Sequence, residues 1–152
     1  MTSFILAIAL ALQVGGPPPA VVAPMDVQEK VRPILDLCQQ AETAQGEAQN
    51  AAFFEAAKLT GELFQAKTKS SDEALVVLMN FYIGEATGED LLHQVTIRGK
   101  RMLPLLMKYR DARVMFPKRE YPSSMLLSPD VKRENFDNVI KSVRAGKIIG
   151  ED

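Results

Sequence analysis

The chain has 152 residues, 47% of them apolar and 24% charged, a length and balance that suit one globular domain and exclude collagenous, low-complexity and wholly disordered readings. Eighteen basic against nineteen acidic residues leave a net charge of −1, which argues against a uniformly basic nucleic-acid binder. One cysteine and one histidine exclude a disulfide framework, zinc knuckles and multi-histidine metal centres.

Phe4 to Leu12 are nine consecutive apolar residues, followed by Pro17, Pro18 and Pro19. A membrane span needs about 20 apolar residues, so this run is too short to cross and has the layout of a secretory signal peptide. Val21 and Ala23 are the small residues that would set a cut before Pro24. The expected organisation is therefore residues 1–23 as a signal peptide or disordered apolar N-terminus and residues 24–152 as one helical domain, exported to the periplasm or secreted. Met1, Thr2 and Ser3 carry no positive charge and Pro24 suits a cut poorly, which keeps a cytoplasmic chain with an apolar N-terminus as the alternative.

Asp26 with Glu29 has the form of a capping box, and the stripe Val27, Val31, Ile34, Cys38, Ala41 predicts a helix to about Gln45, kinked or restarted by Pro33. Cys38 lies on that stripe and reads as a small buried hydrophobe. Glu47 to Lys67 places Ala52, Ala56, Leu59 and Leu63 on one face of a second helix, and its line Phe54, Ala57, Gly61, Phe64 offers a close approach for a neighbour at Gly61.

Ser70 with Glu73 predicts a further helix start. Leu75 to Ile83 is apolar except for Asn80, a pattern that predicts a helix of about 13 residues buried on most sides and stopped at Gly84. Asn80 then needs a partner, for which neighbouring backbone suffices. Thr87 with Asp90 opens the next helix, with Leu92, Val95, Leu103 and Leu106 on its apolar line and a possible break at Gly99 or Pro104. Pro117 and Pro122 forbid long regular structure between Val114 and Ser128, yet Met115, Phe116, Met125, Leu126 and Leu127 call for an ordered segment lying across the bundle. Ser128, Pro129 and Asp130 start a last helix that buries Val131, Phe136, Val139, Ile140 and Val143 and stops at Gly146. The expected fold class is all-α, a small bundle of about five or six short helices built from helical hairpins, solenoid-like in the extreme, with an ordered proline-containing loop before the C-terminal helix.

Charge is segregated. Twelve acids oppose five bases between Asp26 and Ile97, but one acid opposes eight bases between Arg98 and Arg119. Arg98, Lys100, Arg101, Lys108, Arg110 and Arg113, followed by Lys118 and Arg119, form a candidate docking surface for an anionic partner, a protein or an envelope component, with nucleic acid disfavoured by export. The competing reading pairs these bases with the acidic helices of their own chain. A seven-residue spacing puts Arg101 and Lys108 on one helical face.

No phosphate-binding loop precedes Lys100, and no Gly-x-Ser-x-Gly elbow or di-iron carboxylate pattern occurs. No catalytic residue, metal ligand or cofactor is expected. His93 has Glu89 and Asp90 one turn before it, a pattern that suits a solvated helix face or a carboxylate-polarised base. The expected function is a non-enzymatic binding or adaptor module. The alternatives are an inhibitor or immunity-like protein that occludes a partner's site and a small hydrolytic enzyme using His93.

Overall fold

The structure is a computed structural model and describes residues 17–151. The apolar run at residues 4–12 lies outside the described residues. Six α-helices are present among them: α1 (Met25–Thr43), α2 (Gly46–Gln65), α3 (Lys69–Leu78), α4 (Glu85–Arg98), α5 (Leu103–Arg110) and α6 (Pro129–Ala145). Two short strands accompany them, β1 (Ala20–Val22) and β2 (Arg113–Met115), paired parallel with Val21 opposite Val114. The all-α bundle expected from the periodicity is the architecture found, with the small sheet as an addition.

α1 and α2 form an antiparallel hairpin, and α3 packs against α1, α2, α4 and α5. Ala74, Leu75, Val76, Val77 and Leu78 are all fully buried, so α3 is the centre of the core, as its unbroken apolar run requires. The stripe Val27, Val31, Ile34, Cys38, Ala41 faces inward throughout. Burial pushes the Cys38 thiol up to about 11, which keeps it protonated and unreactive at neutral pH.

Several local expectations are corrected. α1 starts with Pro24 at its N-cap position and no side-chain cap; the Asp26 carboxylate accepts the N–H of Val27 next to it instead of forming a box with Glu29. Pro33 is accommodated within the helix, which runs unbroken to Thr43. On α2 the buried polar Thr60 takes a core position, while Phe54 is 71% exposed and no neighbour comes within 4 Å of a side chain built at Gly61, so the expected close approach is absent.

The cap of α3 is Thr68, whose hydroxyl accepts the N–H of Ser71 while Ser71 Oγ accepts the N–H of Thr68; Ser70 and Glu73 are already inside the helix. α3 then ends at Leu78, five residues short of the Ile83 expected. The chain there leaves the helix to pair with a distant segment: Tyr82 donates its N–H to Met125 and Leu127 donates its own to Asn80, with Phe81 bridging Leu126 antiparallel. The Asn80 amide donates to Val76 and Val77 carbonyls at 3.3 and 2.9 Å, the backbone satisfaction expected of it.

α4 begins at Glu85, one turn earlier than Thr87 suggests, and breaks at Gly99, where a φ of 77° suits glycine and starts a 3-10 turn. Pro104 does not break a helix; it sits in the first turn of α5, where its missing N–H costs nothing. Ser128 caps α6 through the N–H of Val131, and Gly146 ends it in the left-handed region. Phe136, Val139, Ile140 and Val143 are buried, whereas Val131 is 45% exposed. The segment from Phe116 to Met125 lies across α1, held by Tyr121 on Asp36 and Ser124 on Glu42, with Phe81, Phe116 and Tyr121 in edge contact beneath it. No helix among the described residues is long and apolar enough to cross a membrane.

Candidate functional site

The basic residues between Arg98 and Arg119 separate into two groups once the chain is folded. Arg98 is buried and donates to the carbonyls of Leu63, Phe64 and Ala66 at the C-terminus of α2, where helix carbonyls lack partners of their own. Arg101 makes a forked contact with Asp72, from Nε to Oδ2 at 2.9 Å and from the second nitrogen to Oδ1 at 3.2 Å. Lys108 reaches Glu73 at 2.8 Å, and the same carboxylate accepts the hydroxyl of buried Tyr109, whose pKa is raised by burial and by that bond. Arg110 bridges Asp111 and Asp137; the Asp137 contact raises the arginine and lowers the aspartate. Arg119 binds Asp36 and Gln39 on α1.

Four bases of the candidate docking surface are thus held by carboxylates of α3, α1 and α6 or by Asp111, and Arg98, beside Asp72, is removed from any surface altogether. Lys100, Arg113 and Lys118 form no ion pair among the described residues. Of these three, Arg113 borders a cavity.

That cavity is a cleft of about 710 Å³ at the end of the sheet, within the usual size of small-molecule sites. Residues 17–19, Val114, Leu126, Leu127 and Pro129 make its walls. Arg110, Asp111, Arg113, Lys132 and Arg133 supply its charge. Lys132 and Arg133 come from the first turns of α6, about one turn past the Ser128 cap, and Arg113 opens β2, so the fold joins bases some 20 residues apart in the chain. Lys132 is partly committed: its Nζ donates to the Ala112 carbonyl, and burial lowers its pKa against the raising influence of Asp111. Arg133, like Arg113, is exposed and makes no ion pair among the described residues. The sequence reading missed Lys132 and Arg133 because each looks like an ordinary solvated helix residue; only their place in the lining of the cleft that Arg113 also lines distinguishes them.

His93 is not set beside Glu89 or Asp90. Its Nδ1 lies 2.7 Å from the Ile149 carbonyl and its Nε2 is 3.9 Å from Glu151, while Thr96 Oγ1 accepts the Ile149 N–H at 3.1 Å. The imidazole fastens the C-terminal tail to α4, and no hydroxyl or thiol nucleophile stands in contact with its nitrogens among the described residues. No group of three or more His, Cys, Asp and Glu side chains is placed to hold a metal ion among the described residues. Comparison with protein-family models, curated proteins and solved structures finds no match to this chain.

Proposed function

We propose that the chain is a non-enzymatic binding module that takes an anionic partner at the cleft rimmed by Arg113, Lys132 and Arg133. The observation that carries this reading is the division of the basic residues: those facing the helices of their own chain are paired with carboxylates, while two of the three guanidiniums at the cleft, Arg113 and Arg133, form no ion pair among the described residues. Unpaired cations beside an apolar cavity attract and orient an anion, and the attraction falls as salt shortens the Debye length. The apolar run Phe4–Leu12 supports an exported location with the chain kept intact through Pro17–Pro19, because these residues wall the cleft.

The test is affinity capture from envelope extracts at about 0.1 M and about 1 M salt, where the Debye length contracts from roughly 10 Å to 3 Å. Wild-type chain captures its partner at low salt only. Arg113→Glu with Arg133→Glu abolishes capture with an unchanged melting curve, whereas Lys100→Glu with Lys118→Glu retains it. Capture that survives the first pair of substitutions overturns the reading.

A further inference from the structure

The cleft at the end of the sheet differs from a peptide-binding groove in what its walls can donate. Four of its wall residues are Pro17, Pro18, Pro19 and Pro129, which have no backbone N–H. The amide N–H groups of Asn80, at the same cavity, are both given to the carbonyls of Val76 and Val77. Such walls offer an extended peptide few of the main-chain bonds that strand addition requires. They suit an apolar tail that asks for none, against Val114, Leu126 and Leu127.

The polar end suits an anionic headgroup. Arg110 is neutralised by Asp111 and Asp137, while Lys132 donates to the neutral Ala112 carbonyl and keeps its charge. Arg113 and Arg133 form no ion pair among the described residues, so the lining carries an excess of positive charge. A guanidinium matches a carboxylate with two parallel hydrogen bonds.

Building on the binding-module reading, we infer that this cleft is a site for a long-chain fatty acid, its alkyl chain between the prolines and Leu126 and Leu127 and its carboxylate on Arg113 and Arg133. The experiment is fluorescence titration of the full chain with cis-parinaric acid, a fatty acid that emits when shielded from water. The free acid binds saturably, and its methyl ester binds about tenfold more weakly or worse, the loss expected when a charge-assisted pair is missing. Arg113→Gln weakens the free acid by about tenfold with unchanged circular dichroism, Arg133→Gln weakens it in the same direction, and Leu126→Asp weakens it through the wall. Absence of saturable binding, or equal binding by wild type and both arginine variants, overturns the inference. If parinarate fails while salt-sensitive capture by the same arginines persists, the ligand class is wrong and the binding-module reading stands; if both fail, both are wrong.

Discussion

Arg98 and Asp72 meet inside the fold, with the guanidinium Nε 3.5 Å from Oδ1 and side chains only 2% and 10% exposed. Arg98 Nη2 donates to the carbonyls of Leu63, Phe64 and Ala66 at the end of α2, so one side chain from the end of α4 ties the end of α2 to the first turn of α3. Desolvation lowers the Arg98 pKa and Asp72 opposes that shift, so the charge is kept by the carboxylate beside it. Asp72→Asn leaves a buried guanidinium without its counter-ion and is expected to cost about 3 to 5 kcal/mol, measured by chemical denaturation. A loss under about 1 kcal/mol would show that Arg98 is held by the α2 carbonyls alone.

Arg101 and Lys108 belong to the same internal bracing, each paired with one of two adjacent residues of α3, Asp72 and Glu73. Both bases are substantially exposed, so each pair is worth no more than about 1 kcal/mol. Arg101→Glu with Lys108→Glu replaces attraction by repulsion at both and should lower stability by about 1 to 2 kcal/mol while leaving binding at the cleft unchanged. Loss of capture at full stability would return these two residues to the docking surface.

Leu78 closes α3 in the centre of the core with no exposure. Leu78→Ala removes its packing and leaves a cavity, at an expected cost of about 2 to 5 kcal/mol in denaturation. A change below about 0.5 kcal/mol is incompatible with a core position.

The bond after Ala23, where the sequence suggests a cut, lies between β1 and α1 in the folded chain. Ala23 is buried, its carbonyl accepts the Gln28 side chain at 2.6 Å, and β1 pairs with β2. A chain beginning at Pro24 loses the ladder and the Gln28 contact and should be about 2 to 3 kcal/mol less stable, with β2 open to protease, since each lost bond is worth about 1 kcal/mol. Mass spectrometry of the native protein reads its N-terminus directly. Equal stability of the trimmed chain would show β1 to be dispensable.

His93→Ala removes the hydrogen bond to Ile149 and the contact with Glu151. Its expected effect is local: about 1 kcal/mol or less of global stability, unchanged circular dichroism, and faster tryptic cleavage after Lys147 as the tail loosens. Abolition of an activity with the tail still protected would instead revive a catalytic role for the imidazole.

The helices themselves were legible in the sequence because helical periodicity is local. The inward stripe of α1, the apolar run that buries the second half of α3 and the Ser128 to Gly146 limits of α6 all follow from residues within a few turns of one another. Helix ends were less legible where two caps competed, as Thr68 and Ser70 did, since either hydroxyl can accept an N–H three residues on. What only the tertiary structure decided involves partners far apart in the chain. The end of α3 at Leu78 comes from pairing with Met125 and Leu127, and the parallel sheet joins Val21 to Val114 through a register that three-residue strands do not announce. The fate of the basic residues was decided in the same way. Arg98 and Arg113 are alike as letters, yet one is drawn under α2 by the carbonyls at its end and by Asp72, while the other is left on a cleft that Arg133 also lines. A charge is neutralised by what lies within a few ångströms of it, and folding alone sets that neighbourhood.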